Sequence, residues 1–265
     1  MIKVGFIGAG DIAYLHGEGV QASSNAQLHG IWNRTRTKAE EKASLFDTRV
    51  FDTAEELIEA VDVVYVLTNM ETHHAYCMQA IEAGKHVLVE KPTAVTIEEI
   101  EEIKAFAHQK GVQVAPVHNY IYEAPVMRAK ELIESGKLGD LVSLHVLYNI
   151  HHPEEVAARY PGVIRQILTH HAYCTLYLVG QPELVSCMKA TVNDGSVPQE
   201  NLAMVTMKMR NQALSHLCAS FAADDHAGDP WTFMIKVIGT KGATRYSYRD
   251  WVENTPAVVH SQTYS

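Results

Sequence analysis

Two glycines near the N-terminus are placed to hold a phosphate group. Gly8 and Gly10 follow a short run of β-forming residues and precede a helix-compatible stretch. In such a turn the first glycine allows the tight bend, the second lets the backbone approach a pyrophosphate, and the helix N-terminus supplies N–H donors. An ordinary tight turn can have the same glycines, but this setting favours a dinucleotide site. We predict that the cofactor contacts Gly8, Ala9, Gly10, Asp11 and Ile12.

The residue expected to meet the ribose 2′-hydroxyl of such a cofactor is Asn33, 23 positions after Gly10. An aspartate there would repel a 2′-phosphate, whereas Asn33 is followed by the cations Arg34, Arg36 and Lys38. The sequence therefore predicts NADP as the cofactor, with NAD as the alternative. Contacts to the ribose phosphate are expected from Asn33, Arg34 and Lys38, although these cations also fit the solvated start of a helix.

A glutamate and a lysine follow a short strand-like run at residues 86–89. Glu90, Lys91 and Pro92 would lie at the carboxyl edge of a parallel sheet, where ligands bind in open α/β folds. The proline indicates a constrained peptide bond, with the cis form as one option. Lys91 is able to hold a substrate hydroxyl or to share its proton, but a lysine after a strand is also often a solvated charge.

The overall composition excludes several kinds of partner. With 22 Lys and Arg against 31 Asp and Glu, the net charge is −9, which disfavours nucleic acid and anionic membranes. No apolar run reaches the roughly 18 residues that a spanning helix needs, and no signal core follows the N-terminus. The 4 cysteines are far apart, as expected of reduced thiols. We therefore expect a cytoplasmic protein that binds neither nucleic acid nor membrane.

The first half of the chain alternates between strand and helix patterns, which predicts a parallel, doubly wound sheet. We assign residues 1–120 to an N-terminal dinucleotide-binding (Rossmann) domain. Its strands are predicted at residues 3–7, 27–32, 61–68, 86–89 and 112–117, and its helices at 11–22, 37–46, 72–83 and 96–110.

The second half has two helical stretches with one strand-like stretch between them, and after the second helix only strand-like stretches. This pattern predicts an antiparallel or mixed sheet with helices on one side. We assign residues 121–265 to a C-terminal α/β domain. Its helices are predicted at residues 122–135 and 163–179, and its strands at 141–150, 184–192, 202–209, 214–221, 233–238 and 243–248.

The chain resembles the glucose–fructose oxidoreductase / inositol dehydrogenase / MocA family over essentially its whole length. The resemblance is carried by the glycine turn and by the segments at residues 68–73, 84–87, 90–92, 119–120 and 133–139. It implies an α/β protein with a Rossmann domain and a C-terminal domain whose open sheet is mixed and largely antiparallel.

The resemblance also implies a reaction. It is hydride transfer between nicotinamide and a carbinol or ketone of a sugar, cyclitol or similar polyol. By analogy, the nicotinamide end of the cofactor is lined by Thr68, Asn69, His73, Glu90, Lys91 and Asn119, and Lys91 touches the reacting oxygen.

The family usually has Asp-x-Gly-x-His-x-x-Asp on a helix of the second domain, and Gly180 sets the register of this motif on His170. Gln166 and Tyr173 then stand where the family has carboxylates. We predict Lys91 and His170 as the catalytic residues, since a histidine suits proton exchange near neutral pH. The predicted substrate-binding residues are Gln166, Tyr173, Arg165 and Asn119.

The lost carboxylates leave other functions open. A helix that only packs polar residues at a domain boundary is one alternative. Another is a cofactor-binding sensor or regulatory protein without turnover. A third is an NAD-dependent enzyme that cleaves glycosides through a transient redox cycle.

The 15 histidines show no metal-binding motif. Adjacent histidines on a helix point about 100° apart and chelate poorly, so we predict no metal. A site assembled in space from His118, His151 or His152, and His170 stays open at this stage.

The resemblance further implies a homodimer or homotetramer formed through the C-terminal sheet. Related chains usually continue past the last strand with another helix. We therefore expect the C-terminal domain to be short for the family.

Overall fold

The computed structural model describes residues 1–192, 199–222, 232–247, 250–255 and 258–263, the last two ranges by their backbone alone. The chain divides into two units, Met1–Val117 and His118–Ser265. The boundary lies slightly before the predicted one at residue 120, because the turn Asn119–Tyr122 contacts a helix of the second unit.

The first unit contains one sheet with parallel strands in the order β3-β2-β1-β4-β5-β6. Its strands are β1 (Ile2–Ile7), β2 (Ala26–Trp32), β3 (Arg49–Val50), β4 (Val63–Val66), β5 (His86–Val89) and β6 (Val114–Pro116). The predicted fold of this half is confirmed. The two-residue strand β3 was not predicted, since it is too short to have a pattern.

Five helices connect these strands: α1 (Ile12–Ala22), α2 (Arg36–Leu45), α3 (Ala54–Ala60), α4 (His73–Glu82) and α5 (Ile97–Lys110). The best defined is α5, which begins with a capping box between Thr96 and Glu99 and ends at Gly111 in the left-handed conformation. The prediction missed α3, although Thr53 and Glu56 have the spacing of a helix cap and the Thr53 hydroxyl accepts the Glu56 N–H bond.

The sheet of the first unit is covered on both faces, which explains why its strands read as continuous apolar runs. Ile7, Val64 and Val66 belong to one buried cluster, while Val4 and Phe6 belong to the other. The carboxyl ends of the neighbouring strands β1, β4 and β5 therefore bring the segments after Ile7, Val66 and Val89 to one edge.

The second unit contains a mixed sheet in the order β14-β13-β12-β11-β7-β10-β9-β8, in which β7 and β10 are parallel and the other pairs antiparallel. This confirms the predicted sheet type. Its strands are β7 (Leu141–Asn149), β8 (Pro182–Ala190), β9 (Leu202–Met209), β10 (Leu214–Ser220), β11 (Thr232–Gly239), β12 (Ala243–Ser247), β13 (Asp250–Thr255) and β14 (Val258–Thr263). The strands β13 and β14 were not predicted, and Tyr248, the predicted end of β12, lies outside the described residues.

The helices of the second unit are α6 (Ala124–Glu134), α7 (Glu154–Ala157) and α8 (Thr169–Val179). A π-helical turn, Ile164–Leu168, leads directly into α8. The helices and the buried face of the sheet share one core, which includes Leu132, Leu144 and Leu178. In the described part of the chain, no helix has the length and apolar character to cross a membrane.

Candidate functional site

A cavity of about 240 Å³ opens at the edge of the first sheet, where β1, β2 and β4 end. It brings together four segments that are far apart in sequence: the glycine turn, the loop after β2, the loop after β4, and the start of α4. Its lining residues are Gly8, Ala9, Gly10, Trp32, Asn33, Arg34, Thr35, Lys38, Leu67, Thr68, Asn69, Thr72 and Tyr76. Asp11 and Ile12, also predicted to contact the cofactor, are exposed where α1 begins.

The two glycines of the turn are needed for different reasons. Gly8 has φ +112°, and a Cβ atom there would lie 2.6 Å from the backbone oxygen of Leu67. Gly10 has nothing within 4 Å of the place its Cβ would occupy. Gly8 is therefore required by the fold itself, whereas Gly10 leaves room at the wall of the cavity for a ligand to approach the backbone.

Asn33 holds the glycine turn to the loop after β2. Its Oδ1 accepts a hydrogen bond from the backbone N–H of Ala9 at 3.1 Å, and its Nδ2 donates one to the Thr35 carbonyl oxygen at 2.9 Å. Both ends of the amide thus have a backbone partner, and Asn33 also lines the cavity, so its contact with the ribose phosphate stays a prediction. Asn33 positions the loop that presents Arg34 to the cavity.

The cations after β2 separate into two groups. Arg34 and Lys38 line the cavity, whereas Arg36 pairs with Glu40 and Asp52. None of the described residues that line the cavity carries a carboxylate. The local charge therefore favours an anionic ligand, although the whole chain is acidic.

Two aromatic side chains on the cavity wall were missed by the sequence analysis. The rings of Trp32 and Tyr76 lie 5.7 Å apart, centroid to centroid, at 62°. Burial and nearby Glu55 raise the pKa of Tyr76, and Arg34 opposes this shift, which places the guanidinium within electrostatic reach of the phenol. Each ring offers an apolar face near the cationic side chains, a combination that suits a nucleotide.

Glu90 lies at the end of β5, beside Lys91, and is largely buried. Its Oε1 lies 2.8 Å from Nε2 of His16, and its Oε2 accepts the backbone N–H bond of Lys91 at 2.9 Å. Its carboxylate thus connects α1 to the backbone of Lys91, and its contact with the cofactor stays a prediction. His16 was not predicted, but it lies on the buried face of α1 with Ala13 and Val20, where a polar residue indicates a buried partner.

Burial lowers the pKa of the Lys91 ammonium, while the neighbouring Glu90 carboxylate partly opposes the shift. A lysine with a lowered pKa exchanges protons more readily near neutral pH. The Lys91–Pro92 peptide bond is cis, which is one of the forms that the sequence left open.

His73 lies inside the first unit rather than at the predicted nicotinamide end of the cavity wall. It is only 1% exposed, and its ring nitrogens lie 2.9 Å from the carbonyl oxygens of Pro92 and Thr68. The histidine connects the loops after β4 and β5. It therefore positions Thr68 and the segment that contains Lys91.

A hydrogen-bonded group in the second unit surrounds the predicted catalytic histidine. Nδ1 of His170 lies 2.6 Å from the hydroxyl of Tyr173, which also donates to Asn119 Oδ1 at 3.0 Å and accepts the Tyr120 N–H bond at 3.2 Å. Tyr173 is 6% exposed and its ring stacks on His118. The predicted substrate contact of Tyr173 is therefore replaced by bonds within the protein.

The other predicted substrate-binding residues lie nearer the surface. Asn119 and Arg165 are exposed, and Gln166 is half-buried like His170. Gln166 lies within the π-helical turn Ile164–Leu168, so the single helix predicted over residues 163–179 is not regular between Gln166 and His170.

Tyr120 was not predicted as a site residue, and His118 was considered only as a metal ligand, although both flank Asn119 in sequence. The Tyr120 ring lies 4.8 Å from that of His170, centroid to centroid. Burial lowers the pKa of His118, which favours its neutral form.

The metal site that the sequence left open is not found: the described residues contain no group of three His, Cys, Asp or Glu able to hold a metal ion. His151 bonds to the Ala222 carbonyl, and His152 packs against Tyr160 and Phe221.

Comparison with known proteins matches both units. The model for the oxidoreductase family with an NAD-binding Rossmann fold matches residues 2–118, and that for the GFO/IDH/MocA C-terminal domain matches residues 126–245. Glucose-6-phosphate 3-dehydrogenase of Bacillus subtilis is 26% identical over 263 residues, which cover 93% of this chain and 74% of the relative. The scyllo-inositol 2-dehydrogenase (NADP(+)) IolW of the same organism is 34% identical over 195 residues, covering 70% of this chain and 54% of the relative.

Solved structures show the same fold. An oxidoreductase from Agrobacterium radiobacter, in complex with NAD+, L-tartaric acid and magnesium, superposes with a TM-score of 0.88 at 19% identity, covering 100% of this chain and 80% of that one. GenD2 from gentamicin A biosynthesis, in complex with NAD, gives a TM-score of 0.83 at 24% identity, with coverage of 93% and 72%. The matched family models span most of both units, which confirms the predicted resemblance: the chain belongs to the GFO/IDH/MocA family of NAD(P)-dependent oxidoreductases.

Proposed function

We propose that this protein is an NADP-preferring oxidoreductase that transfers hydride between nicotinamide and a carbinol or ketone of a sugar, cyclitol or similar polyol. The observation that carries the proposal is the cavity at the glycine turn, where Arg34 and Lys38 meet no carboxylate of the described lining. Two relatives are named as dehydrogenases, one of glucose 6-phosphate and one of scyllo-inositol with NADP, and both support this substrate class, the second also this cofactor.

The residues present fit a phosphorylated dinucleotide. The open space beside Gly10 admits a pyrophosphate, and Trp32 and Tyr76 supply a surface for a base. The guanidinium of Arg34 and the ammonium of Lys38 would hold a 2′-phosphate by charge-assisted hydrogen bonds. When bound, the cofactor supplies the hydride acceptor or donor.

The protein's own residues handle the proton. In the oxidation direction a substrate hydroxyl loses its proton while the same carbon loses a hydride, so the carbinol becomes a ketone. We assign the transfer of this proton to two residues, Lys91 and His170. The lowered pKa of Lys91 suits proton exchange. Hydroxyl groups of the substrate would bond to Gln166, Arg165 and Asn119.

The cofactor is tested by thermal unfolding with NADP and with NAD at equal concentrations. At equal concentrations, a ligand that binds only the folded state stabilises it more the more tightly it binds, so we expect the larger rise in melting temperature with NADP. A larger rise with NAD would overturn the assignment of Arg34 and Lys38.

The reaction is tested by following nicotinamide absorbance with a panel of polyols and keto-sugars. Lys91→Ala should lower turnover by about 100-fold or more but keep the stabilisation by NADP. Lys104→Ala, an exposed lysine of the same unit that pairs with Glu101, is the matched control and should leave turnover unchanged. Unchanged turnover in Lys91→Ala would remove Lys91 from the mechanism.

The absence of carboxylates at Gln166 and Tyr173 favours a second candidate, a cofactor-binding sensor. Tight NADP binding without hydride transfer across the whole panel would support it. Cleavage of a glycoside without net reduction of the cofactor would instead support the transient redox cycle.

We also propose a homodimer or homotetramer that forms through the C-terminal sheet. The edge strand β8 exposes Leu184, Val185 and Met188, the last of them 77% exposed. Light scattering should give a mass at least twice 29.4 kDa, and Met188→Glu should lower it. A monomer at micromolar concentration would contradict this assembly.

A further inference from the structure

His73 is the first residue of α4, and its imidazole ring lies between two loops of the first unit. Nδ1 lies 2.9 Å from the carbonyl oxygen of Pro92, in the loop after β5, and Nε2 lies 2.9 Å from the carbonyl oxygen of Thr68, in the loop after β4. The residue is only 1% exposed. The ring therefore joins Thr68, which lines the cavity, to the residue that follows Lys91.

The two contacts of this ring require two hydrogens on it. A backbone carbonyl oxygen can only accept a hydrogen bond, so each ring nitrogen has to donate one. A neutral imidazole has a single N–H group, and its second nitrogen would turn a lone pair toward an oxygen atom at 2.9 Å. The imidazolium form has an N–H group on each nitrogen and satisfies both carbonyl groups. The geometry thus fits the charged ring and not the neutral one.

A second buried histidine shows what burial does without such partners. His171 is also 1% exposed, and for neither of its ring nitrogens is a hydrogen-bond partner found among the described residues. Burial lowers the pKa of His171 to about 3, so its ring is neutral at pH 6. His73 differs from it by two acceptors, and hydrogen bonds to the charged form of a group favour that form.

We propose that His73 is a buried imidazolium and a positioning residue, with one N–H bond to each of two loops of the cofactor site. The bond to Thr68 holds a wall of the cavity, and the bond to Pro92 holds the segment that contains Lys91. Neither partner is a carboxylate, so the ring adds a positive charge to the first unit. The roles of the two loops in cofactor binding and proton transfer rest on the proposed function, whereas the protonation of His73 does not.

The protonation is tested by nitrogen NMR of the full chain at pH 6, without cofactor or substrate. The ring nitrogens are detected through the carbon-bound ring protons, and the His73 signals are those lost in His73→Asn or His73→Gln. Two protonated nitrogens have similar chemical shifts, whereas a neutral ring has one protonated and one unprotonated nitrogen with very different shifts. We expect two protonated nitrogens at His73, with His171 as the internal control for the neutral pattern. A neutral pattern at His73 would overturn the proposal.

Two variants separate the two bonds. The amide nitrogen of asparagine stands near the place of Nδ1 and that of glutamine near the place of Nε2, so each variant keeps one donor. His73→Asn keeps the bond to Pro92 and should weaken NADP binding by about tenfold at unchanged kcat, because the cavity wall loses its bond. His73→Gln keeps the bond to Thr68 and should lower kcat by about tenfold at unchanged NADP affinity, because the Lys91 segment is released.

Binding is measured by isothermal titration, and kcat in the reduction direction, both at pH 6. His74→Asn is the matched control, since this neighbouring histidine pairs with Glu102 instead, and it should leave both quantities unchanged. Equal effects of His73→Asn and His73→Gln on affinity and turnover would indicate a merely structural role and would overturn the positioning of the two loops. The NMR result concerns the resting protein, so its failure would leave hydride transfer standing, while absent turnover would leave the imidazolium standing.

Discussion

His16 and Glu90 lie 2.8 Å apart, imidazole Nε2 to carboxylate Oε1, and connect the first helix to the residue before Lys91. Both side chains are largely buried. The second carboxylate oxygen accepts the backbone N–H bond of Lys91. The pair therefore fixes a carboxylate beside the lysine, and the charge of that carboxylate stabilises the ammonium form.

Glu90→Gln should lower the pKa of Lys91 further. Burial already lowers this pKa, and the Glu90 carboxylate is the cause that opposes the shift. Without the negative charge, the neutral amine forms at lower pH, so the limb of the pH–rate profile that reports Lys91 should move to lower pH. The measurement is kcat/KM across the pH range, with NADP saturating.

The matched control is Glu102→Gln. Glu102 also pairs with a histidine, His74, at 2.9 Å, but its side chain is exposed. This variant should leave the profile unchanged. A profile of Glu90→Gln that stays in place or moves to higher pH would show that the charge of Glu90 does not act on Lys91.

Gly10→Ala should bind NADP about tenfold more weakly or worse, without loss of stability. A methyl group at Gly10 meets no atom within 4 Å in the protein, so it costs the fold little. It does fill the space through which a pyrophosphate would approach the backbone. Isothermal titration gives the affinity, and thermal unfolding without cofactor gives the stability.

Gly8→Ala is the contrasting variant. Its Cβ would meet the Leu67 carbonyl oxygen at 2.6 Å, at a backbone φ of +112° that side chains rarely adopt. It should lower the free energy of unfolding by about 2 kcal/mol or more. If Gly10→Ala proved as unstable as Gly8→Ala, the requirement for Gly10 would lie in the fold and not in the ligand.

Arg34→Ala should weaken NADP more than NAD, by about tenfold or more, because the lost guanidinium would pair with the 2′-phosphate that only NADP carries. The comparison is the ratio of the two dissociation constants in wild type and variant. Arg36→Ala is the matched control: its guanidinium already pairs with Glu40 and Asp52, so the ratio should not change. An equal loss for both cofactors in Arg34→Ala would mean that Arg34 does not contact the 2′-phosphate.

Much of the first unit follows from local pattern. Strand β4 was predictable because a run of β-branched residues fits a sheet buried on both sides, and Gly8 because a strand that turns sharply into a helix needs a positive φ. Lys91 was predictable because it lies two residues after the end of such a strand. These features depend on neighbours in the sequence.

The misses depend on contacts between distant segments. His16 is linked to Glu90 across 74 positions, and Trp32 meets Tyr76 only once two separate elements have folded. His73 illustrates the opposite error. Its position in a family motif predicted a residue that lines the cofactor site, but its ring is buried in the first unit beside two backbone carbonyl groups. The π-helical turn before His170 has no local pattern that distinguishes it from an α-helix.

His171 is the neighbour of His170 in sequence but has a different environment. It is completely buried, and for neither of its ring nitrogens is a hydrogen-bond partner found among the described residues. Burial lowers its pKa to about 3. An unfolded histidine has a pKa of about 6.5, so between these two values the unfolded chain binds a proton that the folded chain does not.

His171→Leu should therefore stabilise the protein, and more so in acid. At neutral pH the gain is about 1 kcal/mol, from removal of buried polar atoms without partners. As the pH falls below about 6.5, the wild type loses an additional ~1.4 kcal/mol per pH unit to protonation of unfolded His171, and the variant does not. Urea unfolding of both proteins at pH 7.5, 6 and 5 measures the difference between their free energies of unfolding. Other titrating groups affect both proteins alike and cancel in this difference. His108→Leu, an exposed histidine, is the control and should show no widening gap. A constant difference between wild type and His171→Leu across these pH values would mean that His171 is protonated in the folded protein.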